Sequence, residues 1–208
     1  MDLSAINPVL LLASIMVSAT PILLAALGEL VVERAGVLNL GVEGMMLIGA
    51  VTAASASQHL GSNPWIIVPG AVLAGMFAGA ALALVHAFLC VTLRANQTVT
   101  GLAITIFAGA FGLSSYLASV SKVAERRVGH TVTKLDVFGL GDLPVVGPIV
   151  FNQNLFTYVS WVMVPAASFY LFRTRTGMRL RAVGESPRTA DAMGINVTAY
   201  RYVHTLIG

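Results

Sequence analysis

Apolar residues in this 208-residue chain do not alternate with polar ones; they run together in long blocks separated by short polar stretches. A block of about 20 apolar residues is what a helix needs to cross a hydrocarbon core. The first runs from about Pro8 to Ala26, with Pro21 inside it as an expected kink. A second, shorter and interrupted by polar groups, covers about Val42 to Ala56. The third spans about Trp65–Leu93, the fourth Val99–Val120 and the fifth Leu155–Phe172, and a sixth begins near Tyr202. The pattern predicts an all-α, polytopic transmembrane helix bundle of about five spans plus the start of a sixth. Residues 1–208 are read as one membrane domain, partial and C-terminally truncated because the last apolar run has only begun.

Of the polar stretches, the longest separates the fifth and sixth blocks: RTRTGMRLRAVGESPRTADAMGINVTAYR, residues 173–201. It holds six of the chain's twelve basic residues (Arg173, Arg175, Arg179, Arg181, Arg188, Arg201), and with Glu185 and Asp191 its charge is six minus two, or +4. A basic excess beside a hydrophobic span stays on the cytoplasmic side. Alternation then places 121–154 outside as an external loop, Arg94–Gln97 inside, 58–64 outside, 28–41 inside and the N-terminus outside. Lys122, Arg126, Arg127 and Lys134 in the 121–154 loop pull the other way, and a re-entrant second span would move the N-terminus inside. Within 173–201, Gly177 and Gly184 read as breaks. Ser186-Pro187 reads as a helix start, Thr189–Met193 as a short helical run and Gly194 as its stop. Small residues at Ala190, Ala192 and Gly194 leave room for another protein, so bulky side chains at Ala190 or Gly194 are expected to uncouple the two. The alternative is a solvated loop whose arginines only enforce topology.

Composition sharpens the class. Hydrophobic residues make up 57%, charged residues 10%, and mean hydropathy is +0.84; soluble domains carry about 25% charged residues. With two lysines and a net charge of +3 confined to loops, nothing points to nucleic acid. The N-terminal block has no basic leader and is too long for a cleaved signal, so it is taken as a retained anchor. Ala71, Gly75, Gly79 and Ala83 form a four-residue ladder that lets a neighbouring helix pack closely. In the 121–154 loop, turn signals at 139–144 and at Gly147-Pro148, with weak alternation over Val132–Val137, predict a compact cap.

Chemistry-bearing residues are few. Cys90 is the single cysteine; it lies one helical turn from His86, and the pair is read as core, not as metal ligands. Ser114 and Ser115 lack an assignable His or Asp partner. No GxxxxGK[ST] segment exists, so the chain has no phosphate-binding loop of its own. Energy must come from another subunit or from an ion gradient. The stretch GELVVERAGVLNLGVEGMMLIGA (28–50) sets Glu29, Glu33, Asn39 and Glu43 among glycines. Glu29 and Glu33 are assigned to the interface with Arg34 as a local partner. A carboxylate at membrane depth costs roughly 2.5–3.5 kcal/mol and faces a cavity or a partner. For Asn39 and Glu43, lining a solute path and holding the subunit together both stay open.

Four stretches carry a family resemblance. RAVGESPRTADAMGINV resembles the ATPase-coupling loop of ABC-transporter permeases, specifically importers for simple sugars, nucleosides and branched-chain amino acids. ERAGVLNLGVEGMMLIGA is similar to the stretch after the first helix of nucleoside-type permeases. NQTVTGLAI (Asn96–Ile104) resembles the entry to the following helix, and LPVVGPIVFNQN (143–154) the external loop. The resemblance implies a permease subunit of an ATP-driven importer for nucleosides or related sugars, in a bacterial cytoplasmic (inner) membrane. It implies a cytoplasmic ATPase that holds ATP and Mg, a second permease subunit, identical or paralogous, and an external solute-binding protein, with no cofactor on this chain. It assigns the coupling loop to Arg181, Ala182, Gly184, Glu185, Ser186, Pro187, Ala190, Ala192, Gly194 and Ile195, and candidate solute-path positions to Asn39, Glu43, Asn96 and Gln97. The rival from another class is an ion-coupled secondary transporter using Glu43.

Overall fold

The computed structural model describes residues 7–61, 63–109, 111–123, 134–136 and 139–208. Nine helices are described: α1 Pro8–Arg34, α2 Val42–His59, α3 Pro64–Ala87, α4 Gln97–Ala108, α5 Leu113–Val120, α6 Leu155–Arg173, α7 Arg175–Glu185, α8 Pro187–Ala192 and α9 Val197–Ile207. A π-helical turn, Phe88–Thr92, extends α3. Among the described residues four stretches are long and apolar enough to cross a membrane: Pro8–Arg34, Pro64–Thr92, Gln97–Val120 and Leu155–Arg173. The chain is therefore a multi-helix, polytopic membrane protein. Helix α2, the expected second span, forms but is not among those four.

By contact the chain divides into two units, Met1–Leu27 with Thr131–Ser168, and Gly28–His130 with Phe169–Gly208. In the first, the expected cap contains a small antiparallel pair, β1 Lys134–Asp136 against β2 Asn152–Asn154, so the chain is not helical throughout. Within it the Gly147–Phe151 stretch winds as a π-helical turn. Buried Gln153 donates from Nε2 to Pro148 O (2.8 Å) and Ile149 O (3.0 Å), which ties the cap to its own strand. Asn154 caps α6 by accepting from Thr157 N at 2.9 Å. Thr157 is fully buried, with its hydroxyl 3.2 Å from that of Thr20 in α1. Of the loop's expected features, Arg126, Arg127 and residues 132, 133 and 137 lie outside the described residues.

The second unit packs helices through glycine. Gly75 of the predicted ladder backs onto α2: a Cβ there would stand 2.9 Å from Gly49 O and 3.2 Å from Ala53 Cβ. Ala83, two steps further, joins Met45 and Ile104 in a buried cluster. Two expectations need correction. Helix α1 runs past Ala26 to Arg34 and includes Gly28, where a Cβ would overlap Gly208 O. The fourth block is not one helix: α4 stops at Ala108 and α5 starts at Leu113. Gly112 N donates to Gly109 O at 3.0 Å to form a turn, and buried Ser114 donates its hydroxyl to the same carbonyl at 2.6 Å. Freed backbone groups at membrane depth need such internal partners.

Candidate functional site

Two clusters, both in the second unit, contain the residues singled out from sequence. The first is the irregular segment 35–41 that follows α1. Gly36, at φ +76°, ends the helix in a left-handed cap: Val37 N donates to Val32 O (3.3 Å) and Gly36 N to Glu33 O (2.9 Å). Buried Val32 and Val37 flank it. Beyond the cap the peptide groups cannot pair with one another, and side chains from surrounding helices take their place. Leu38 N donates to Gln97 Oε1 (2.7 Å) and Asn39 N to Glu29 Oε1 (2.9 Å). Leu40 O accepts from Thr105 Oγ1 (2.7 Å), and Gly41 N donates to Asn39 Oδ1 (3.1 Å). Leu38 O accepts from His86 Nε2 at 3.2 Å, so that nitrogen carries the proton. Cys90 Sγ lies 3.6 Å from the same ring atom, in the core position expected for the pair. Helix α4 can approach because position 101 is glycine; a Cβ there would stand 2.8 Å from Leu40 N.

This geometry sorts the four solute-path candidates. Asn39 and Gln97 come together on segment 35–41, each holding a peptide N–H. Asn96 caps α4 by accepting from Val99 N (3.2 Å), and Glu43 is exposed on the first turn of α2. Glu29, expected at the interface beside Arg34, turns its carboxylate to Asn39 N, and Oε2 is buried without a hydrogen-bond partner among the described residues.

The second cluster is the polar stretch 173–201, which folds as three short helices. Thr174 caps α7 by accepting from Gly177 N at 3.0 Å. Gly177 and Gly184 do not break the stretch; both lie within α7. They are small because other backbone lies against them: a side chain at Gly184 would overlap Arg34 O, and one at Gly177 would overlap Tyr170 O. Under α7, Leu180 joins Val31, Ala35 and Leu171 in a buried cluster. Arg181, half-buried, sits 5.1 Å above the Phe172 ring, with its Nε lacking a hydrogen-bond partner among the described residues.

Helix α8 spans Pro187–Ala192, with Pro187 in the first turn as expected. Ser186 occupies the cap position, but its hydroxyl pairs with Thr189 Oγ1 (2.8 Å) and not with a backbone N–H. Thr189 puts a competing hydroxyl three residues on. At the other end Gly194, at φ +78°, stops the helix, and Ile195 N donates back to Ala190 O at 3.0 Å. Asn196 then caps α9. Ala192 and Gly194 are exposed, but Ala190 is only 3% exposed, so its small side chain serves the α7–α8 contact. An open groove of about 480 Å³ lies between α7 and α8. Met178, Ala182, Ala190, Met193 and Ile195 line it with Arg175, Arg179 and Glu185, and Met193 is 78% exposed. A smaller recess of about 200 Å³ is lined by Glu33, Arg34, Arg181, Gly184 and Glu185. Among the described residues no group of three or more His, Cys, Asp or Glu is placed to hold a metal ion.

The same chain matches known proteins along nearly its whole length. Residues 11–208 match a family model described as the permease component of the branched-chain amino acid transport system. A putative glucose ABC transporter permease of Haloferax volcanii is 41% identical over 92% of this chain and 56% of its own length. The guanosine ABC transporter permease of Bacillus subtilis is 38% identical over 100% of this chain and 65% of its own. A nucleoside ABC transporter permease of Lactococcus lactis is 33% identical over 95% and 63%. The chain thus spans about 56–65% of the length of these relatives. No solved structure matches. Coverage from residue 11 to the last, at these identities, settles the lineage: the chain belongs to the ABC-transporter permease family whose model is described as the permease component of the branched-chain amino acid transport system.

Proposed function

We propose that the chain is the membrane-spanning part of an importer subunit for a small polar solute, a nucleoside or a related sugar, and that α8 is where a cytoplasmic ATPase engages it. The relatives' solutes, glucose and guanosine among them, support the solute class. The observation that carries the docking reading is the capped helix α8 beside its methionine-lined groove. Exposed Met178 and Met193 lie there with Arg175 and Arg179, in a segment of charge +4. Methionine adapts its shape to a partner, and a basic margin suits an acidic one. In this reading a second permease subunit completes the membrane pathway, and an external binding protein delivers solute. ATP and Mg stay on the ATPase, and the assembly sits in a cytoplasmic membrane, bacterial by expectation. The nucleoside-type subgroup and the cytoplasmic side of 173–201 belong to this proposal.

The test is capture of the cognate ATPase by the complete permease. Met193→Asp and Ala192→Trp alter exposed positions and should weaken capture by roughly tenfold or more, the loss of one well-packed interface residue. Unchanged capture and uptake in both would remove α8 from the interface. Uptake by the complete permease alone, without ATP and abolished in Glu43→Gln, would replace the reading by the ion-coupled one.

A further inference from the structure

We infer that Arg201 and Gly184 are positioning residues that carry movement of α8 into segment 35–41, and through it to α3 and α4. The inference rests on the docking reading of α8 and goes beyond it by naming the route.

Helix α8 is tied on both sides to the same stretch of backbone. Ser186 alone separates it from α7, and residues 193–196 from α9. Gly184, next to last in α7, lies against the end of α1: a Cβ there would stand 3.3 Å from Gly36 N and collide with Arg34 O. In return, a Cβ at Gly36 would lie 3.2 Å from both Gly184 Cα and Arg201 Nη2. Arg201, in α9, donates from Nε to Ala35 O at 3.3 Å. The Tyr202 hydroxyl beside it lies 2.5 Å from Thr92 Oγ1, in the turn that extends α3.

From 35 onward each link is a single hydrogen bond to a peptide group. Glu29 holds Asn39 N, His86 holds Leu38 O, Gln97 holds Leu38 N and Thr105 holds Leu40 O. Three of these bonds are part-buried and the one from Thr105 is exposed; breaking a part-buried one strands a peptide group at a cost. Segment 35–41 therefore has two options when α7 and α9 shift: carry its side-chain partners along, or lose those bonds at that cost. The first moves α3 and α4.

Spatial continuity alone does not prove transmission, so the test must read motion at the far end. Leu40 is 39% exposed and can carry a nitroxide as Leu40→Cys, and the native Cys90 is buried. In the complete transporter with its ATPase, trapping with ATP and vanadate should change the spectrum at position 40. With Arg201→Gln that change should be lost while ATPase capture and thermal stability persist, and Arg201→Lys, which keeps the charge and a donor, should restore part of it. A merely structural arginine would lower stability and leave the ATP-induced change intact. The relay is overturned by an equal change with and without Arg201→Gln, by no change in either, or by loss of capture in a folded Arg201→Gln permease. Should Arg201→Gln not assemble, Arg201→Lys decides alone: a reduced change supports the relay, an undiminished one sinks it. Failure of the docking reading shows separately, as full capture by Met193→Asp.

Discussion

Glu29 shows how much one side chain can do for an irregular backbone. Its Oε1 accepts from Asn39 N and Gln97 Oε1 from Leu38 N, while Thr105 and His86 donate to the carbonyls of Leu40 and Leu38. Glu29→Ala should destabilise the purified permease by about 1–3 kcal/mol, the cost of stranding a buried donor. Thermal unfolding in detergent would measure it, and a loss below a few tenths would mean that Asn39 N finds another acceptor. Gly184→Ala should also destabilise, by about 1–3 kcal/mol, because its Cβ overlaps Arg34 O and backbone cannot swing aside. Sequence reading marked segment 35–41 as unusual from its glycines and its Asn39, and placed Gly184 in the coupling loop. It could not say that Glu29 turns inward, since a carboxylate beside an arginine reads as an interfacial pair. Nor could it separate a glycine that breaks a helix from one that admits a neighbour, because both are the absence of a side chain.

At the scale of elements, caps and apolar blocks were the legible part. The helix at Pro187, its stop at Gly194, and the third and fifth spans follow from residue type and spacing. The break between α4 and α5 was not legible: Gly109 and Gly112 lie in apolar sequence, and the bonds from Gly112 N and Ser114 Oγ to Gly109 O that hold the turn have no signature there. Ser114→Ala should therefore cost about 1 kcal/mol in thermal stability, while Ser115→Ala, at an exposed position, should cost nearly nothing. Equal effects would mean that the turn is held by other groups. The Asn196 cap allows a second check, since Asn196→Ala should cost about 1 kcal/mol through loss of the bond from Ala199 N at the start of α9. The strands β1 and β2 were missed because three residues in each strand leave too short a pattern to separate from a loop.

For the whole molecule, the arginine cluster at 173–201 and the basic residues at 121–154 make opposing claims on the same side of the membrane. In the proposed reading the larger cluster, and Met193 with it, lies in the cytoplasm. A membrane-impermeant maleimide should label Met193→Cys in inverted vesicles and Leu140→Cys in right-side-out ones, with the ATPase shielding only the former. Both positions are exposed, and buried Cys90 leaves a quiet background. The reverse labelling would invert the topology and take the docking reading with it.

The bond from Arg201 to Ala35 also bears on biogenesis. It closes a loop of 166 positions in sequence, so the chain is born with the carbonyl long before the guanidinium exists. Until α9 emerges from the ribosome, the end of α1 has no such donor and must stay wet, at the bilayer edge or in the insertion channel. Stalled chains ending before Arg201 should be cut by protease near Ala35, and chains extended past α9 should resist. The end of α1 would then be finished by a segment translated 166 positions later.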